Sequence, residues 1–329
     1  MNFSKNSILI NTKEEVDKIV KAIKYSVQDM FKKKGAVLGV SGGVDSSVAL
    51  ALTAMALGND RVLAVNLPEK ESADDNIVFV EKLLKKINVE CVTEEITDAL
   101  NGLGCYRRRD KAVKELFPEY DKTYKMRIIL PQGIMKTDSL NIFYLEIISP
   151  SGEVKKKRLP LKQYLQIVAA SNFKQRTRMS MLYYLAEQRN YAVIGTPNKN
   201  EHDQGFFVKY GDSGSDIRPL KHLFKTQIYQ LADYLEIPDE IRKRIPTSDT
   251  YSAYQSQEEF FFRLPFDILD RIWFGWEKEV PSQKIADVLE LSVEQVENVI
   301  ADIKKRMSTT EYLRREALDV YSVEIIMKS

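Results

Sequence analysis

A short apolar run, residues 36–40, leads straight into Ser41-Gly42-Gly43-Val44-Asp45-Ser46-Ser47, and a stretch rich in Val, Ala and Leu follows. No other feature constrains the chain as much. A run that is apolar at every position reads as a strand buried on both faces, and the segment after it as a helix. Two adjacent glycines let the backbone turn sharply and come close to a ligand. The N–H groups of such a bend, with the N-terminus of the next helix, make an anion site. Ser41, Ser46 and Ser47 add hydroxyl donors. Asp45 would repel phosphate, so its presence points to a magnesium ion that bridges carboxylate and phosphates. The loop lacks the GxxxxGK[ST] spacing and is not a Walker A loop.

The same alternation continues along the chain. Residues 61–67 read as a second strand, 74–87 as a helix and 90–96 as a third strand. Strand–helix alternation of this kind builds a parallel sheet with helices on both faces, a doubly wound α/β fold. Thr12 and Glu15 form a capping-box pattern ahead of Val16, Ile19, Val20, Ile23 and Val27, which marks an opening amphipathic helix. A helix over 173–188, a strand over 191–195 and a helix over 225–235 extend the pattern, and the chain from 238 on reads as helical. Between these parts, 106–157 is charged and tyrosine-rich. Within it 141–149 alternates like a strand, Pro150-Ser151-Gly152 is a turn, and 153–159 returns as the second arm of a β-hairpin. The expected division is an α/β domain over 1–105 and 161–275, an inserted hairpin segment over 106–160, and a helical extension over 276–329.

Composition narrows the function. Forty-nine basic against forty-seven acidic residues give a net charge of +2, which argues against a nucleic-acid protein. Cys91 and Cys105 form no CxxC pair, and His202 and His222 are the only histidines, so neither a structural zinc site nor a disulfide scaffold is expected. There is no signal-peptide pattern and no apolar stretch near the ~20 residues needed to span a bilayer. A cytoplasmic protein without nucleic-acid or membrane partners is expected.

Further segments follow the loop in order: Asn172-Phe173-Lys174-Gln175-Arg176-Thr177-Arg178-Met179, Gly195-Thr196-Pro197-Asn198-Lys199-Asn200-Glu201, Gly205-Phe206-Phe207-Val208-Lys209-Tyr210-Gly211-Asp212 with Asp216, Phe224-Lys225-Thr226-Gln227, and Ile245-Pro246-Thr247-Ser248-Asp249. The S-G-G-x-D-S loop resembles the PP-loop of ATP pyrophosphatases. The whole series resembles the ammonia-dependent NAD synthetases, over roughly residues 10–100 and 170–275.

That resemblance implies the adenine nucleotide α-hydrolase-like fold, a homodimer, and amidation of deamido-NAD with ATP and ammonia through an adenylated carboxylate. It implies ATP contacts from Gly39, Val40, Ser41, Gly42, Gly43, Val44, Asp45, Ser46, Thr196, Lys225 and Thr247. It implies magnesium at Asp45 and Glu201, with Lys225 near the terminal phosphates. It implies deamido-NAD contacts from Asn172, Arg176, Lys209 and Asp216. Ammonia must arrive deprotonated, and Asp212 is the candidate base that takes the proton from ammonium. With about forty residues ahead of the loop and Asn at position 2, no glutamine-hydrolysing domain is expected, so ammonia is used free or supplied by a separate glutaminase.

Some segments depart from the pattern. The inserted stretch is longer than in shorter members, so amidation of a different carboxylate is the rival reading. Asn66 stands where the family often has arginine. Arg107-Arg108-Arg109 is either a phosphate or partner site or a solvated charge run, with the second favoured. Residues 282–289 and 292–303 read as a packed helical hairpin, with a DNA-binding helix-turn-helix as the alternative. Lys304-Lys305-Arg306 is the candidate for a basic pair that reaches substrate. Sulfur transfer to tRNA is disfavoured by the absence of a catalytic cysteine motif.

Overall fold

The computed structural model describes residues 3–73, 75–130, 142–247 and 250–320. Several expectations reach positions outside these: Asp74 as a helix start, Asn141 as a strand start, Ser248 and Asp249 of the Pro-Thr-Ser-Asp segment, part of the inserted segment over 106–160 and the end of the helical extension over 276–329.

The chain opens with α1 (Thr12–Lys24), then β1 (Gly35–Gly39), α2 (Val44–Leu57), β2 (Val62–Asn66), α3 (Asn76–Ile87) and β3 (Glu90–Thr93). Two short helices follow, α4 (Thr97–Gly102) and α5 (Cys105–Lys114). Next come β4 (Lys125–Ile129), β5 (Tyr144–Ile148) and β6 (Val154–Arg158), then the long α6 (Leu161–Arg189), β7 (Tyr191–Ile194) and α7 (Lys199–Gln204). The remainder is helical: α8 (Lys225–Tyr234), α9 (Asp239–Arg242), α10 (Phe266–Glu277), α11 (Ser282–Leu289), α12 (Val293–Thr309) and α13 (Glu311–Arg314).

The main sheet is parallel with order β3-β2-β1-β7, in register Ala36↔Val62, Ala64↔Cys91 and Ala36↔Ala192. Alternation along the strands sorts the core. Ala36, Leu38, Ala64, Ala192 and Ile194 pack on one face with α1, α2 and α8. Val37, Leu63, Val65 and Val193 pack on the other with α6 through Met179, Leu182, Leu185 and Ala186. Both faces are covered, which is why these strands read as continuous apolar runs. The expected doubly wound sheet is therefore present. The chain steps outward from β1 to β2 to β3, then returns to place β7 on the other side of β1. The loop after β1 thus opens at the point where the winding direction reverses, the place where open α/β sheets bind ligands.

The α1 start differs by one residue from the expected cap. Asn11 is the N-cap and accepts from Glu14 N, so Thr12 is the first helical residue. The inserted segment is more than a hairpin. A third antiparallel strand gives the order β4-β5-β6, and α5 precedes it. Met126, Ile128, Leu145 and Ile147 form one face, closed by Val113, Phe117, Ile167 and Tyr251. In α6 the helix begins twelve residues earlier than expected because Ile167 is needed to seal this second core while Leu182 and Leu185 seal the first. β6 is exposed along its length, and its Lys-Lys-Lys-Arg run discourages further strand addition at that edge.

The C-terminal helices pack as a hairpin. Ile285, Val296, Val299, Ile300 and Ile303 are buried against Trp273 and Phe266 of α10. Ser292 caps α12 reciprocally with Gln295, whereas Ser282 lies inside its helix after Pro281. Among the described residues no helix is long and apolar enough to cross a membrane.

Candidate active site

A cavity of about 1280 Å³ opens along the C-terminal ends of β1, β2 and β7 and reaches across to the inserted sheet and the C-terminal helices. Its floor is the loop after β1. Gly42 has φ +74°, and a Cβ there would stand 2.7 Å from Cβ of Phe79, so both the turn and the close packing on α3 demand glycine. Gly43 is the N-cap of α2, which aims the first N–H groups of that helix at the cavity. Gly39, Val40, Ser41, Gly43, Val44, Asp45 and Ser46 line it, and Gly42 supplies the turn between Ser41 and Gly43. The serine hydroxyls are less free than the sequence suggests. Ser46 Oγ and Ser47 Oγ donate back to the Gly43 carbonyl at 3.0 and 2.8 Å, and Ser47 is wholly buried outside the cavity wall.

Three charged groups meet above this floor. Lys225 begins α8 and is 1% exposed; its Nζ pairs with Asp45 Oδ2. Asn198 Nδ2 donates to Asp45 Oδ1 at 2.9 Å. Asn198 also caps α7 by accepting from Glu201 N at 3.0 Å, and its own N–H donates to Glu201 Oε2 at 3.2 Å. This reciprocal cap is what aims Glu201 inward. Gln257 Nε2 reaches Glu201 Oε1 at 3.3 Å. Burial, and then the Asp45 carboxylate, push the Glu201 carboxyl above the usual carboxylate range. Burial works against the charge on Lys225, but Asp45 and Glu201 outweigh it and hold the ammonium protonated. Behind this group Asp270, fully buried on α10, accepts from Thr226 N at 2.8 Å and Asn200 Nδ2 at 2.5 Å. Asn200 Oδ1 in turn accepts from Lys225 N at 2.9 Å. The network ties the starts of α7 and α8 to one buried carboxylate.

Thr196 and Thr247 also line the cavity, as do Asn172, Arg176, Lys209 and Asp212. Arg176 Nε donates to the Lys209 carbonyl at 3.2 Å, and Lys209 Nζ reaches the carbonyls of Tyr312 and Arg315 at 3.1 and 3.0 Å. Asp212 Oδ1 accepts from Val208 N at 2.7 Å, and burial pushes its carboxyl up to about 6. Asp216 is not brought to this cavity within one chain. It is exposed, accepting from Tyr183 OH at 2.9 Å and Val193 N at 2.7 Å. Asn66 lies in the cavity wall at the end of β2.

The basic runs resolve unevenly. Arg109 is buried, with Nη1 and Nη2 on Glu71 at 2.6 and 2.8 Å, so it is an internal ion-pair residue and no part of a solvated run. Lys174 joins the same cluster through Glu71 at 2.8 Å. The two cations overcome burial and bring the Glu71 carboxyl down to about 2. Of Lys304-Lys305-Arg306, the last two line the cavity, and Lys304 lies over Trp276 instead. The sequence reading gave no role to Asn198 and Asn200, though both stand in a quoted segment, nor to Gln257 and Asp270. Two signals were there to read: Asn198 with Glu201 three residues on is a capping-box pattern, and Asp270 is a charge on an otherwise apolar helix face.

The model for the NAD synthase family matches residues 15–126 and 134–317. The chain belongs to the NAD synthase family. The match takes in β5, β6 and the C-terminal helices and leaves out most of β4. The chain is 41% identical to the NH(3)-dependent NAD(+) synthetase of Rhizobium meliloti (strain 1021), over 98% of this chain and 96% of that protein. It is 34% identical to the protein of that name from Thermotoga maritima, over 86% and 93%. Among solved structures, an NH3-dependent NAD synthetase from Campylobacter jejuni superposes with TM-score 0.61 at 22% identity, covering 94% of this chain and 100% of that one. An NMN synthetase from Francisella tularensis gives 0.58 at 23%, covering 94% and 99%. Both structural likenesses speak to the fold.

Proposed function

We propose that this NAD synthase family member is an ammonia-dependent NAD synthetase. A carboxylate oxygen of deamido-NAD attacks the α-phosphorus of ATP, pyrophosphate leaves, and ammonia displaces AMP from the acyl-adenylate to give NAD. The observation that carries this reading is the single cavity. It sets the anion-binding bend, Asp45, Glu201 and Lys225 beside Asn172, Arg176, Lys209 and Asp212. A nucleotide triphosphate and a dinucleotide acid are the kinds of ligand such a run of donors suits.

The residues do the work by charge and placement. The bend and the α2 N-terminus hold phosphate oxygens, and Lys225 supplies a dry positive charge to the triphosphate. Asp45 and Glu201 flank the same ammonium, and two converging carboxylates with room for phosphate and water oxygens suit Mg²⁺. When bound, that ion supplies charge neutralisation to the phosphates. Arg176 and Lys209 suit the pyrophosphate of the dinucleotide. Asp212, pushed up to about 6, is ionised near neutral pH and a stronger base than an ordinary carboxylate, which makes it the candidate to take the proton from ammonium. Homodimer formation is part of the proposal: Leu161, Leu165 and Tyr184 leave apolar area exposed along α6. A cytoplasmic setting, with ammonia free or from a separate glutaminase, completes it.

The test is AMP and pyrophosphate release with Mg-ATP and ammonia against a panel of acids. Deamido-NAD should be used best, with NAD as product. Turnover of another acid with none of deamido-NAD would replace this reading by amidation of a different carboxylate.

A further inference from the structure

Arg244 lies between α9 and Thr247, in no motif, and borders the cavity beside Ser41, Gly43 and Asn76. Its guanidinium rests over the Phe79 ring at 4.5 Å. Nη2 donates to Asp75 Oδ1 at 3.0 Å and Asn76 Oδ1 at 2.6 Å, so the first turn of α3 grips one prong of the fork. Nη1 stands 3.4 Å from the point where a side chain on Gly42 would begin. The ring fixes the plane of the group and the two acceptors fix its rotation, which brings Nη1 against the anion-binding bend. The side chain is 15% exposed, so its charge acts through little water. Lys225, the cation on the other side of the bend, is already shared between Asp45 and Glu201.

We propose that Arg244 contacts the β- and γ-phosphates of ATP and stabilises pyrophosphate as it leaves. This rests on the reading of the cavity as a NAD synthetase site. In the adenylation step a carboxylate oxygen bonds to the α-phosphorus and the bond from that phosphorus to the α–β bridging oxygen breaks. The electron pair stays on the bridging oxygen, which departs with pyrophosphate, and no proton is transferred. Negative charge therefore grows on the departing group, where a guanidinium with a free prong holds it best.

The experiment measures equilibrium binding of Mg-ATP, inorganic pyrophosphate and AMP to the full chain, its Arg244→Met variant and its Asp75→Asn variant. Arg244→Met should weaken ATP and pyrophosphate by about ten- to a hundredfold, the loss expected for one charge-assisted hydrogen bond, and leave AMP unchanged. Asp75→Asn keeps the guanidinium and an amide oxygen that can still orient it, so ATP and pyrophosphate should weaken less than in Arg244→Met. Unchanged pyrophosphate affinity in Arg244→Met, or an equal loss for AMP, overturns the proposal, since the arginine would then brace the loop or hold the nucleoside. If the methionine variant does not fold, Arg244→Lys decides: it keeps a charge without the fork, so wild-type pyrophosphate affinity overturns the proposal and weaker binding supports it. NAD formation by the unmodified chain is scored separately, so failure of the broader reading is visible on its own.

Discussion

Replacing Lys225 with methionine removes the cation at the centre of the charged group and keeps most of its volume. Its ammonium is 1% exposed and pairs with an Asp45 side chain that is 16% exposed. Glu201 lies close enough to feel both. Without the lysine the Asp45 carboxylate is left beside the Glu201 carboxyl in a place that water hardly reaches. Breaking a buried pair from one side costs about 3–5 kcal/mol. Asp45 keeps some contact with water, so a smaller cost, about 2–4 kcal/mol, is expected. Urea denaturation at neutral pH without nucleotide would read this as a lower midpoint at unchanged slope. The double variant Lys225→Met/Asp45→Asn removes the stranded charge and should regain at least ~1 kcal/mol, a coupling typical of contacting residues. Activity behaves differently. Both variants should lose about a hundredfold or more in kcat, because the charge that meets the triphosphate is gone in each. A Lys225→Met chain as stable as the parent, or a double variant no more stable than the single one, would refute the buried-charge argument.

Other perturbations follow from the same geometry. Asp45→Asn and Glu201→Gln should each abolish NAD formation; Glu201→Gln should melt within a few degrees of the parent, whereas Asp45→Asn strands the Lys225 ammonium and should melt lower; near-normal turnover in either would remove the metal assignment. Gly42→Ala must take a left-handed conformation and meet Phe79, so ATP affinity should fall at least tenfold, with a stability loss of about 1–3 kcal/mol; retained ATP binding would show that the bend tolerates a Cβ. Asp270 has its carboxyl raised from 3.8 to about 6 by burial. The folded state therefore binds the proton more tightly than the unfolded one, and this residue's stabilisation is full below about pH 4 and lost as pH rises to about 6. The lost part is on the order of 3 kcal/mol at ~1.4 kcal/mol per unit. Asp270→Asn should remove that slope from the stability–pH curve, and an unchanged slope would count against it.

The inserted segment shows where local sequence signals run out. β4 alternates, with Met126 and Ile128 inward, yet it is five residues long and sits in charged, tyrosine-rich sequence. Its inward face became recognisable only when β5 paired with it in the register Ile128↔Leu145. The α6 start was missed for a related reason. Its first twelve residues and its last half face two different cores, so no single apolar stripe runs its length. The middle residue of the arginine triplet could not be told from its last, because the burial of Arg109 depends on Glu71 across the fold.

The sequence by itself determined the β1–loop–α2 unit, with Asp45 in it, and the parallel strands; Glu201 and Lys225 entered only through the resemblance to the ammonia-dependent NAD synthetases. These rest on short-range rules: apolar runs for strands buried on both faces, paired glycines for a bend, and motif spacing along one chain. Only the tertiary structure decided that Asp45 pairs with Lys225 from 180 positions away, that Asp270 fixes both helix starts, and that Arg244 reaches the bend. Such contacts depend on how helices pack across a sheet. Hydrogen-bond partners separated in this way leave no period and no spacing for a linear reading to find.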